Sequence, residues 1–237
     1  SVCLVGSEMC IRDSFYTMKE KKKHSDNHSL TFKAGDPNYM LIGTDGGIYE
    51  SFDDSETWKF VANLPLTQFY KLAVDDAYPF YNIYGGTQDN NTQGGPSRNF
   101  KNSGISNADW YVVLGGDGHQ PATEPGNPNI IYAQSQQGYI NRIDMTNREI
   151  VSVRPQEGID EPYERFNWDA PILVSHHDPK RLYFGSQRVW RSENRGDSWS
   201  TISGDLTKDE ERLSLPIMGD VQSFDNAWDV YAMSTYN

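Results

Sequence analysis

One pattern recurs four times along this chain, and it constrains the fold more than any other feature. Each copy has an Asp/Asn-Pro-like turn followed by a β-prone run that ends at a small residue. The copies are Asp36-Pro-Asn-Tyr-Met-Leu-Ile-Gly43, Asp76-Ala-Tyr-Pro-Phe-Tyr-Asn-Ile-Tyr-Gly85, Asn127-Pro-Asn-Ile-Ile-Tyr-Ala133 and Asp178-Pro-Lys-Arg-Leu-Tyr-Phe-Gly185. Their terminal small residues are 42, 48 and 52 positions apart. A repeat of that length holds four antiparallel strands, the size of one propeller blade. The chain therefore reads as an all-β, partial β-propeller of four-stranded blades. About four blades are expected, at residues 24–66, 67–114, 115–160 and 161–210, with the start of another at 221–237. The propeller is expected to be incomplete at both ends, as an internal fragment of a larger protein would be.

A second signature follows the first and last copies. Ser51-Phe-Asp-Asp-Ser-Glu-Thr-Trp58 and Ser192-Glu-Asn-Arg-Gly-Asp-Ser-Trp199 both fit S-x-[D/N]-x-x-x-[T/S]-W. This resembles the Asp box, S-x-D-x-G-x-[T/S]-W. Ser51, Asp53 and Trp58, and again Ser192, Asn194 and Trp199, are the residues expected to build it. The Asp or Asn side chain caps a tight turn and the Trp packs against a neighbouring layer. The first copy carries Ser55 where Gly is usual, and the second carries Asn194 for Asp. Such boxes are structural and identify the fold, not the chemistry.

Composition narrows the function classes. Twenty glycines and 12 prolines suit a turn-rich β protein, and 13% aromatic residues exclude a disordered chain. A net charge of −12 argues against a nucleic-acid surface, which needs clustered Lys and Arg. No run approaches the roughly 18 apolar residues of a membrane span. Both cysteines, Cys3 and Cys10, lie in the first fourteen residues. Leu4–Asp13, LVGSEMCIRD, reads as one frame of a transposase-type sequencing adapter, so residues 1–14 are expected to be a non-native scar. The cysteines then carry no compartment signal.

Several further stretches match a family: Ile42-Gly-Thr-Asp-Gly-Gly-Ile-Tyr-Glu-Ser51, Gly85-Gly-Thr-Gln-Asp-Asn90, Gly115-Gly-Asp-Gly118, Glu164-Arg-Phe-Asn-Trp-Asp-Ala-Pro-Ile172, Arg188-Val-Trp-Arg-Ser192 and Ser203-Gly-Asp-Leu-Thr207. From about residue 15 onward the chain resembles large bacterial proteins with sortilin-type, Asp-box (BNR) repeat propellers, commonly labelled glycosyl hydrolases. The resemblance implies an exported protein, periplasmic or extracellular. It implies no proven reaction.

The repeat register also predicts where a ligand would sit. In a propeller the innermost strand of each blade lines the channel, and the segment entering it faces the ligand side. Counting eight or nine residues back from each turn selects His28, Gln68, His119 and Asp169 as residues converging on one channel mouth, with Asn167 and Trp168 beside them. Glycoside hydrolysis needs two carboxyl groups flanking the scissile bond, and Asp117 with Asp169 is the best pair, with Asp26 a third candidate. Trp110, Trp168 and Phe166 are expected sugar platforms. A metal reading rests on His24-x-Asp26-x-His28, which alternates along an extended strand; a solvated strand entry is the favoured account. The third role is recognition of a peptide, glycan or sister domain without chemistry. No cofactor is expected. The expected partners are a glycan or peptide ligand and the remaining blades of the same chain. One short helical turn is expected near Asp205–Arg212.

Overall fold

The computed structural model describes residues 23–64, 66–161 and 163–210. The adapter-like segment 1–14 and the expected blade at 221–237 lie outside the described residues. The chain falls into two compact units divided after Leu66. It is all-β, with four four-stranded antiparallel sheets that are the blades of a partial β-propeller.

The first unit is one blade. It runs β1 (Asn27–Lys33), β2 (Asp36–Thr44), β3 (Gly47–Ser51) and β4 (Lys59–Phe60), each strand pairing with the next. Side chains alternate across β2, so Met40 and Ile42 share one face and are buried there with Trp58. The register places Leu30 and Tyr49 on either side of Ile42, and both pack onto this small core.

The second unit holds three blades. The first comprises β5 (Leu72–Val74), β6 (Asn82–Gly86), β7 (Thr92–Pro96) and β8 (Tyr111–Leu114). The next comprises β9 (Ala122–Glu124), β10 (Asn127–Ser135), β11 (Tyr139–Asp144) and β12 (Glu149–Ser152). The last comprises β13 (Ile172–Val174), β14 (Leu182–Gly185), β15 (Val189–Ser192) and β16 (Ser200–Thr201). The three first strands are neighbours, with β9 between β5 and β13, so they form the inner edge of the unit.

Strand β10 explains how these blades cohere. Ile130 and Tyr132 join the cluster built on β13–β15, with Ile172, Leu182, Phe184 and Trp190. Ile131 and Ala133 point the other way and pack with Tyr84 and Val113 of the preceding blade. Both faces are buried, so the strand reads as an unbroken apolar run. Burying a side chain such as Ile131 contributes about 1.5–3 kcal/mol.

The glycines that end three of the four repeats have a steric cause. The first strand of the blade, or the segment entering it, crosses the second strand closely. A Cβ on Gly185 would lie 2.8 Å from Pro171 Cγ, and one on Gly43 2.6 Å from Ser29 Oγ. At Gly85 the ring of Phe69 fills the same space.

The two S-x-[D/N]-x-x-x-[T/S]-W turns are built alike. Ser51 Oγ accepts the Ser55 N–H at 2.9 Å, as Ser192 Oγ accepts that of Gly196 at 2.8 Å. Asp53 Oδ1 accepts the Thr57 N–H and Asn194 Oδ1 the Ser198 N–H, both at 2.9 Å. The hydroxyl bond reverses direction: Thr57 donates to Asp53, whereas Asn194 donates to Ser198. Both turns use two successive left-handed residues, Asp54 (φ 54°) with Ser55 (φ 67°) and Arg195 (φ 63°) with Gly196 (φ 89°).

The last two blades are also joined by charge. Arg195 donates to both carboxylate oxygens of the buried Glu124, at 2.7 and 2.6 Å. Arg142 donates to the Arg195 carbonyl and to Asp197, and Trp199 Nε1 to the Val153 carbonyl. The expected helix near Asp205 is absent from the described residues. Asp205 Oδ1 instead accepts from the Thr207 N–H and hydroxyl, while Arg165 pairs with Asp205 and Asp209, and these bonds hold the segment irregular. Among the described residues a helical turn forms at Asn107–Asp109, and no helix is long and apolar enough to cross a membrane.

Candidate functional site

Three entry segments run into β5, β9 and β13, and each is tied to the strand beside it. The Tyr70 N–H donates to the Gly86 carbonyl at 2.9 Å, and the Gly118 N–H to the Thr87 carbonyl at 2.8 Å. In the third segment the Gln137 N–H donates to the Trp168 carbonyl and the Gly185 N–H to the Pro171 carbonyl. Gly86 packs so closely on Gly118 and His119 that a side chain there would overlap their backbone. These bonds need no apolar periodicity, which is why the segments read as loops.

They bring two of the expected residues together. His119 Nε2 lies 3.6 Å from Asp169 Oδ2, one residue from each of two adjacent blades. The imidazole is largely buried, at 11% exposure, and Asp169 is open at 42%. The edge of Tyr70 meets the His119 ring at 5.7 Å, and the Tyr70 hydroxyl donates to Gln88. Burial pushes the His119 pKa below its ordinary 6.5; the Asp169 carboxylate opposes that shift and Lys71 adds to it. The ring is therefore neutral at pH 7, offering one donor and one acceptor, and its buried Nδ1 has no partner among the described residues. At 3.6 Å the pair is wider than a hydrogen bond. The arrangement presents an open carboxylate beside a neutral imidazole, a combination suited to hydroxyl-rich ligands.

The other expected residues are placed as follows. Asp117 is half-buried, and its Oδ1 accepts the Asp89 N–H at 3.2 Å, joining the β6–β7 turn to the entry segment of the next blade. Gln68 and Asn167 are exposed, and Trp168 is half-buried. Gln68, His119 and Asp169 all precede their strands, whereas His28 lies inside β1.

His28, Asp26 and His24 belong to the first unit. There His28 pairs with Asp45, the Asp26 carboxylate takes the Ser25 hydroxyl at 3.1 Å, and His24 lies over Gly46. Strand β1 begins only at Asn27, with a bend at Ser25, so the three side chains do not alternate along one strand.

Two of the expected platforms are otherwise engaged. Phe166 is 5% exposed and packs in the core against Phe184, with Arg154 over its ring. Trp110 stacks on Phe69 and covers Gly95.

The sequence reading passed over Tyr70 and Gln134. Gln134 carries a signal in hindsight, since it is a long polar residue inside the buried run Ile130–Ala133, and such a residue must find partners.

No family model matches the chain, and no curated protein matches it. Solved structures do. An ancestral GH74 enzyme is 17% identical with a TM-score of 0.43, over 76% of this chain and 24% of that one. The structure of YCF48 bound to D1 peptide is 13% identical with a TM-score of 0.36, over 76% of this chain and 54% of that one. The GH74 enzyme of Niastella koreensis is 12% identical with a TM-score of 0.39, over 70% of this chain and 28% of that one. The chain thus spans about a quarter of each GH74 enzyme and about half of YCF48.

Proposed function

We propose that the chain is the ligand-binding part of an exported bacterial propeller, periplasmic or extracellular, that acts on carbohydrate at its inner mouth. The observation that carries this reading is the meeting of His119 and Asp169 from two adjacent entry segments. Asp169 is the accessible carboxylate, and Asp117, on the entry segment that also carries His119, is its candidate catalytic partner. The neutral imidazole orients a hydroxyl beside Asp169 without adding a cation. The two turns at Ser51 and Ser192 are Asp boxes with a structural role only.

The competing role is recognition of a glycan or peptide without turnover. It draws on the Asp117–Asp89 bond, which commits one carboxylate oxygen to holding a turn.

The test is a panel of neutral oligosaccharides with the 237-residue chain, its Asp169→Asn form and its Asp117→Asn form. Hydrolysis predicts reducing ends that both substitutions abolish. Binding without release, surviving Asp117→Asn, selects the recognition role. No binding by the unmodified chain overturns the carbohydrate reading.

A further inference from the structure

We infer that Gln134 is the positioning residue of this mouth, because its one carboxamide ties together the two entry segments that carry His119 and Asp169. Gln134 lies near the end of β10 and is 1% exposed. Its Nε2 donates to the Ala170 carbonyl at 2.6 Å and to the Gln120 carbonyl at 3.3 Å. Those carbonyls belong to the residues immediately after Asp169 and His119. Gln120 returns the link, donating from its own Nε2 to the Ile172 carbonyl at 3.0 Å. Three side-chain bonds therefore converge where the segments turn into β9 and β13, within three residues of a site residue.

The chemistry selects an amide here. Both targets are carbonyl oxygens, so the position needs two donors in fixed relation, which a carboxamide NH2 supplies. An alcohol has one proton, a carboxylate would face two acceptors, and an apolar residue would take this donor from the buried Ala170 carbonyl and the half-buried Gln120 carbonyl. The choice carries a cost: Gln134 Oε1 is buried and has no partner among the described residues. An unsatisfied buried acceptor costs about 1–3 kcal/mol. Packing alone would be served better by Leu or Met, so the amide is retained for the geometry it imposes on the two segments.

The inference rests on His119 and Asp169 forming one site, but its test uses no ligand, so it can fail or stand apart from the carbohydrate reading. The His119 titration is followed by NMR in the 237-residue chain and in Gln134→Met, a substitution of similar volume. Loosening the clamp exposes the imidazole and lets its midpoint rise toward the ordinary value, by about 0.3 units or more. Tyr132→Phe, on the same strand, should leave the midpoint in place. A lowered melting temperature with an unmoved His119 midpoint would reduce Gln134 to a packing role and overturn the inference.

A second measurement needs no variant and decides the matter if Gln134→Met does not fold. The Gln134 carboxamide protons should exchange with solvent about 100-fold or more slowly than those of the exposed Gln68. Equal rates would overturn the clamp.

Discussion

Gly86 and His119 touch backbone to backbone: a Cβ on Gly86 would lie 2.6 Å from the Gly118 carbonyl carbon and closer still to the His119 amide and carbonyl. The glycine lets the end of β6 act as the floor on which the next blade's entry segment rests. Gly86→Ala should displace that segment and cost about 1–3 kcal/mol, the usual penalty of forcing atoms into a filled space. Urea unfolding gives the loss, and the His119 imidazole resonances report the displacement. Unchanged values of both would show that the contact is soft.

Burial depresses the His119 pKa, and that sets a pH dependence. Between the depressed value and 6.5 the unfolded chain binds more protons than the folded one. Stability therefore rises with pH through that window. It falls as the pH drops below 6.5 and levels off once His119 is protonated in both states. His119→Gln should remove this part of the slope, read as the difference in urea midpoints between pH 5 and pH 7.5. An identical slope in the variant would assign it elsewhere.

The paired turns make opposite predictions for the same pair of residues. Ser55 sits at φ 67° without the freedom of glycine, so Ser55→Gly should stabilise by about 0.5–1 kcal/mol after the extra entropy of an unfolded glycine is counted. Gly196→Ser should cost about 2 kcal/mol or more, because a Cβ there would meet Val153 Cβ at 2.8 Å. Thermal unfolding of both variants tests the contrast, and shifts of the same sign would refute it.

Acid should distinguish these turns as well. The Thr57 hydroxyl and N–H, with smaller help from Ser51, hold the Asp53 carboxyl below its ordinary 3.8. The stability this provides is present above pH 3.8 and is lost as the pH falls through the depressed value. Asn194 cannot titrate, so the second turn should persist. Amide exchange at Ser55 and Gly196 below pH 4 compares them directly.

Arg195 and Glu124 bridge two blades with a bidentate pair around a carboxylate that is 4% exposed. Removing Arg195 alone would leave the Glu124 charge buried without a cation, with only the Asn127 amide still donating to it, at a cost of about 3 kcal/mol. A cycle of Arg195→Gln, Glu124→Gln and the double variant should show coupling of about 1–3 kcal/mol. Additive losses would mean that each residue acts through its packing.

The all-β class was legible in the sequence because its signals are local. The Asp/Asn-Pro turns, the apolar runs beside them and the glycines at 43, 85 and 185 each act within one hairpin or against the segment entering it. The capping pattern Ser51-x-Asp53 recurs at Ser192-x-Asn194 for the same reason. Repeat spacing also placed His119 and Asp169 in equivalent entry segments, although neither has any local sequence signature of the other.

Tertiary packing decided the rest. Phe166 reads as an exposed platform until Phe184, on the second strand of its own blade, packs against it, and His24-x-Asp26-x-His28 reads as one face until a bend at Ser25 breaks the alternation. Gln134 shows its role only when two carbonyls from distant segments, Gln120 and Ala170, arrive beside it. The sequence by itself determined the blades, because each strand and turn is specified by residues close along the chain. Which polar groups face one another at the mouth was decided only when neighbouring blades packed, since those hydrogen bonds join residues 14 and 36 positions apart that no local periodicity connects.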